Sequence, residues 1–216
     1  MVVSSRLFLR QALVQKLPIF KRRAMSTAQS KILIRDARLE DMGAVADIYN
    51  HFVVLPGNVA TFDEEALPVS KLEWRYNDVK GSNLPYIVAC LDEGEGKDGT
   101  VVGYAYARTY GERKSYQYSV EESIYISPDH LRMGIGKKLM MDLLRRLKEQ
   151  GLKQVVGILG TEEDNPGSYK LHVDCGFKRC ALFKKIGFKH NRWIDRLHMQ
   201  VSLDEDGVGG IDDHVF

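Results

Sequence analysis

Residues 123–137 bring together the types needed to hold a phosphate group. The run Ser123-Ile124-Tyr125-Ile126-Ser127-Pro128-Asp129-His130-Leu131-Arg132-Met133-Gly134-Ile135-Gly136-Lys137 passes from strand-like alternation through a proline into a segment whose first turn carries two glycines and two lysines. A helix opening there presents several main-chain N–H groups without intrahelical partners, and glycine lets an anion approach them closely. A dinucleotide fingerprint would need a third glycine and an acid about 20 residues further on, and a Walker loop would need Gly-Lys-Ser/Thr. Neither pattern is present. The plainer alternative is that Gly134 and Gly136 only permit a tight strand-to-helix turn.

The remaining residues able to do chemistry are scattered. Glu121 and Glu122 stand together near a strand end, the ordinary place for a solvated pair. Arg113 and Lys114 lie in a polar loop, and Phe62 would read equally well as a core residue. Asn165 suits a helix N-cap. His172, Cys175, Cys180 and His190 fit no zinc spacing, so no metal is expected. The three cysteines, Cys90, Cys175 and Cys180, are odd in number and sit in periodic segments, which favours free buried thiols over a disulfide framework.

These residues must be positioned by an alternation of strands and helices. Strands are expected over 32–35, 86–91, 101–108, 117–127, 154–159, 177–186 and 193–203, from period-two alternation bounded by turn residues. Helical spacing covers 41–52, 70–77, 134–150 and 166–175. In the third of these helices Ile135, Leu139, Leu143, Leu144 and Leu147 take one face, and Lys138, Asp142, Arg145 and Glu149 the other. Gly151 and Gly176 close the last two helices. The order implies an α+β fold with antiparallel hairpins at both ends and a βαβ unit in the middle.

The chain has 216 residues, 44% apolar and 28% charged, the composition of one globular domain with short appendages. No apolar run is long enough for a spanning helix. The net charge of +2 conceals an asymmetry, because residues 1–30 hold six basic residues and no acid, leaving 25 basic against 29 acidic residues elsewhere. That mildly acidic body gives no electrostatic reason to expect a nucleic-acid partner. The first 30 residues, acid-free with Arg6, Arg10 and an apolar side of Leu7, Leu13, Val14 and Leu17, read as a mitochondrial transit peptide, with a basic arm as the alternative. A start at Met25 would give a cytosolic form. We divide the chain into this extension, a domain over 31–203, and an acidic, glycine-containing tail over 204–216.

The segment Leu131-Arg132-Met133-Gly134-Ile135-Gly136 resembles the pyrophosphate loop of the GNAT N-acetyltransferases, Gln/Arg-x-x-Gly-x-Gly/Ala, with Leu131 in place of the usual Gln or Arg. Three further stretches, Arg113 to Ile126, Asn165 to Phe177 and Gly187 to Asp195, are similar to the phosphinothricin and methionine sulfoximine acetyltransferases, in the same order and at compatible spacing. The resemblance covers about 32–203, and it implies a mixed sheet of six or seven strands whose central pair splays to admit acetyl-CoA.

It further implies that Glu121 is the base that frees the amine of its proton, made less acidic by burial among Tyr116, Tyr118 and Tyr125. Arg132, Met133, Gly134, Ile135, Gly136 and Lys137 would cradle the diphosphate. Ile124, Tyr125 and Ile126 would bond the pantetheine arm and supply an oxyanion donor, with Asn165 and Ser168 completing the grip. His172 falls where such enzymes protonate the leaving thiolate, and it takes a secondary catalytic role. Arg113 would clamp the acidic group of a small amino-acid-like amine, with Phe62 and Tyr116 as substrate walls. Homodimers are implied, and no metal, nucleic acid or membrane. The alternatives are a GNAT enzyme for another amine (a polyamine, an aminoglycoside or a protein N-terminus) or an inert CoA-binding module.

Overall fold

The computed structural model describes residues 31–94 and 99–204. The basic extension, residues 95–98 and the tail from 205 onward lie outside the described residues. Seven strands, β1 (Ile32–Asp36), β2 (Tyr86–Leu91), β3 (Thr100–Thr109), β4 (Ser119–Ile126), β5 (Gln154–Leu159), β6 (Lys178–Lys189) and β7 (Arg192–Ser202), form one sheet in the order β1-β2-β3-β4-β5-β7-β6. All neighbours are antiparallel except β4 and β5, which run parallel. The helices are α1 (Met42–Val54), α2 (Val69–Gly81), α3 (Ile135–Glu149) and α4 (Pro166–Asp174). This is the α+β order expected. The last hairpin runs further than the alternation indicated, because β6 continues to Lys189 through register shifts at residues 179–181 and 183–187.

α1 and α2 cover one face of the sheet, and α3 and α4 the other. The amphipathic α3 buries Ile135, Leu139, Met140, Leu143 and Leu147 completely or nearly so, while Arg145 pairs outward with Asp142 and Glu149. Its close seat on β3 depends on Gly103, where a Cβ would fall 2.9 Å from Ile126 Cδ1 and 3.2 Å from the Tyr125 carbonyl. Gly151, at φ +84°, ends the helix, and the Leu152 N–H returns to the Leu147 carbonyl. On the opposite face, Tyr86, Tyr104 and Tyr106 stack across β2 and β3 beneath α1 and α2, with Tyr104 also stacked on Tyr125 of β4.

The feature that matters most for function lies at the centre. β4 and β5 pair only at Ser119↔Gln154, Val120↔Val155 and Glu121↔Val156, after which the two strands part. β4 runs on through Ile126, paired to β3 on one side and with its other edge open toward β5.

Candidate active site

Because side chains alternate across a strand, adjacent residues at the parting point are sent to opposite faces. Glu121 lies on the side of α1 and α2, opposite Arg108 of β3 and Val156 of β5. Glu122 lies on the side of α3 and α4. The sequence reading placed Glu121 before the strand, whereas it sits within β4 at the last residue pair before the strands diverge.

The surroundings of Glu121 also differ from those expected. Its carboxylate accepts from Arg108 Nη2 at 2.8 Å, and the side chain is 19% exposed. Tyr116 and Tyr118 are exposed, the former stacked edge-on against Tyr110, and neither encloses the carboxylate. Tyr125 packs against Tyr49 and Phe52 of α1. A charged partner on the neighbouring strand, rather than a sheath of tyrosines, therefore orients Glu121. Beside Glu121, on the same face, a cavity of about 200 Å³ is lined by Val156 and by Tyr110, Cys180, Phe183, His198 and Gln200.

On the other face, Glu122 and His172 form a buried pair. His172 Nε2 lies 2.7 Å from Glu122 Oε1, and Nδ1–H donates to the Ser168 carbonyl at 2.8 Å. The side chains are 0% and 2% exposed. Burial pulls the imidazole toward neutrality, but the charge and hydrogen bond of Glu122, with the Ser168 carbonyl, outweigh it and raise the pKa of His172. Gly157 of β5 makes room for the pair, since a Cβ there would come within 2.8 Å of Glu122 Oε1 and 2.9 Å of the imidazole. Both ring nitrogens are thus engaged and no part of the ring is open. The expected donation of a proton from His172 to a leaving group does not fit this placement.

The open edge of β4 leads to the turn before α3. Arg132 and Gly134 both take positive φ, +61° and +76°. A Cβ on Gly134 would meet nothing within 4 Å, so only the backbone angle demands glycine, and the space above it is free. α3 carries no side-chain cap, which leaves the N–H groups of Ile135, Gly136 and Lys137 for another acceptor. Met133 and Lys137 are exposed beside them, while the Ile135 side chain anchors the turn in the core. Gly136 lies against Leu171 of α4, where a Cβ would fall 3.1 Å away. Asn165 caps α4 by accepting from the Ser168 N–H at 3.2 Å, so the capping role is the one observed. Together, the open strand edge carrying Ile124, Tyr125 and Ile126 and the uncapped helix fit a long ligand ending in a diphosphate.

The substrate residues are only partly brought together. Phe62 is 42% exposed and so is not a core residue. Its ring lies 4.0 Å from the Arg196 guanidinium and fills the space that a side chain at Gly187 would need. Arg113 is exposed in the loop before β4 and forms no ion pair among the described residues, nor is Tyr116 placed beside Glu121. Arg108, Glu122 and Arg196 are the residues the sequence reading missed. Strand alternation carried a signal for Arg196, which recurs at period two with His198 and Gln200 opposite the apolar Leu197, Met199 and Val201. Among the described residues there is no group of three potential metal ligands.

Residues 45–177 match the acetyltransferase (GNAT) family. The chain belongs to this family and is an acyltransferase. It is 33% identical over 184 residues to a phosphinothricin N-acetyltransferase of Alcaligenes faecalis, with 85% of this chain and 89% of that protein covered. It is also 33% identical to an L-methionine sulfoximine/L-methionine sulfone acetyltransferase of Salmonella typhimurium, covering 80% and 95%. Among solved structures, a phosphinothricin acetyltransferase from Sinorhizobium meliloti in complex with acetyl-CoA superimposes with a TM-score of 0.73 at 36% identity, covering 81% of this chain and 89% of that one.

Proposed function

We propose that this chain acetylates the α-amine of a small amino acid or a toxic analogue of the phosphinothricin or methionine sulfoximine kind, by direct attack of the amine within a ternary complex. The observation that carries the reading is the parting of β4 from β5 immediately after the Glu121↔Val156 pair. It puts a carboxylate at the head of a slot whose far end is the uncapped turn of α3. Acetyl-CoA, when bound, supplies an activated acyl group on a thioester.

The protein's own groups do the rest. The N–H groups of Ile135 to Lys137 hold the diphosphate, and the free edge of β4 at Ile124 to Ile126 aligns the pantetheine arm. An α-amine, with a reference pKa of about 8, arrives mostly as the ammonium ion. Glu121, held by Arg108, takes that proton and leaves a nucleophilic nitrogen. A main-chain N–H on the same open edge donates to the oxygen that gains charge during attack. His172, paired with Glu122, fixes α4 against the parted strands.

The test is a thiol-release assay with acetyl-CoA across methionine sulfoximine, phosphinothricin, methionine sulfone, common amino acids and polyamines, with calorimetric titration of CoA alongside. Amino acids carrying an acidic group should be the preferred acceptors, and initial-velocity lines should intersect. A preference for polyamines, or parallel lines, would overturn the reading.

The enzyme is, on the same proposal, a homodimer. The exposed apolar side chains Phe183, Ile186, Phe188 and Trp193 of the β6–β7 hairpin support this. The acid-free extension over 1–30 supports import into mitochondria, with a cytosolic form from Met25. Sedimentation of the purified protein and imaging of a carboxy-terminal fusion check the two points.

A further inference from the structure

We infer that Arg196 is the residue that selects an acceptor bearing an oxyanion, a post the sequence reading gave to Arg113; this rests on the acetyltransferase reading above. Arg196 stands on β7 on the same face as Glu121, because cross-strand pairing carries that face from Glu121 to Val156 and from Val156 to Gln200, and alternation carries it on through His198 to Arg196. The residue is 9% exposed. Its guanidinium donates through Nη1 to the Val59 carbonyl at 2.8 Å and stacks on Phe62.

What singles it out is charge without a counter-charge. The neighbouring acids are already committed: Glu121 to Arg108, Asp63 to Arg75, and Asp164 to Arg192. No carboxylate among the described residues lies within ion-pairing distance of Arg196. Lys189 is also buried without an ion pair, but its ammonium is spent on the Thr61 carbonyl and its side chain is enclosed. Arg196 differs in resting on a ring that is itself open to solvent. Burial also pulls the guanidinium's pKa down, the direction expected of a cation lacking an anion. An unpaired buried charge is costly, and an incoming carboxylate or phosphinate would relieve that cost through the remaining N–H groups of the fork. The Val59 and Phe62 contacts hold the fork in place beforehand, so little ordering is needed when the anion arrives.

The experiment compares acid and amide forms of one acceptor, methionine sulfone and its α-carboxamide, with phosphinothricin as a third arm, in the wild type and in Arg196→Met and Arg196→Lys. Arg196→Met should raise KM for methionine sulfone about 10-fold to 100-fold and collapse the acid-to-amide ratio of kcat/KM, while the acetyl-CoA KM shifts less than about 2-fold. A larger loss on phosphinothricin than on methionine sulfone would place the phosphinate, rather than the α-carboxylate, on the fork. Arg196→Lys keeps the charge and should recover part of the ratio, and it stands in if Arg196→Met fails to fold. Equal losses on acid and amide, or an unchanged ratio, overturn the inference. A wild type inactive on every acceptor would instead refute the acetyltransferase reading itself.

Discussion

Replacing Glu122 with glutamine removes one charge from the deepest polar contact in the protein while keeping its shape. In the wild type, His172 is wholly enclosed and its pKa is raised, because Glu122 and the Ser168 carbonyl outweigh the burial that would lower it. A group whose folded pKa is raised holds its proton more tightly in the folded chain. Its stabilisation is therefore complete below the unfolded value of about 6.5 and fades as pH climbs through the folded value. In Glu122→Gln the charge is gone, burial meets only the Ser168 carbonyl, and His172 should titrate lower than in the wild type. The stability gap between the two proteins is then widest on the acid side. Losing the charged partner of a buried hydrogen bond sets its size at about 1–3 kcal/mol near about pH 5.5, and it should shrink toward about pH 9. Urea denaturation midpoints across that range give the gap, and nitrogen-15 chemical shifts of the His172 ring give the titration itself. A gap that is flat with pH, or that widens in alkali, would show that the proton on His172 is not held by Glu122.

Other perturbations read different parts of the site. Glu121→Gln should lower kcat by about 100-fold to 10,000-fold with little change in calorimetric affinity for CoA, because only the proton acceptor is lost; undiminished turnover would remove Glu121 from the chemistry. Gly134→Ala places a Cβ in free space but at φ +76°, so about 1–2 kcal/mol of backbone strain falls on the anion-binding turn. Calorimetry should show CoA affinity reduced about 10-fold, with the amine KM much less affected. Gly187→Ala sets a methyl group 2.2 Å from the Phe62 ring, and the rigid ring must move. A stability loss of about 1–3 kcal/mol together with a raised amine KM is expected.

The elements were legible because their period is local. The alternation of β3, the 3.6-residue stripe of α3 and the glycine stops after α3 and α4 are all written within a few residues of where they act. The turn at Arg132 to Gly136 was legible for the same reason, since main-chain donors depend on where a helix begins and not on distant partners. What escaped were contacts set by register. Arg108 meets Glu121 only because β3 and β4 pair as they do. Glu122 meets His172 across 50 residues because α4 returns over the gap left by Gly157. Arg113 looked like the clamp because it is near Glu121 in sequence, yet the loop before β4 leaves it in solvent. Arg196, 75 residues further on by the numbering of β4 and β7, lies on Glu121's own face.

Adjacent in the chain and identical in type, Glu121 and Glu122 show how the sheet distributes chemistry. The strand directs one toward a cavity wall and an exposed arginine, where a proton can come and go. It directs the other into a sealed pocket, where the proton on its histidine partner is kept. Neither property belongs to glutamate as such, and exchanging the environments would exchange the roles. Because the two side chains leave β4 at the point where β5 departs, loosening the sealed pair should let α4 drift from the open strand edge and disturb the slot that leads to Glu121. The two halves of the site are therefore coupled through the backbone of β4, although no side-chain contact joins them.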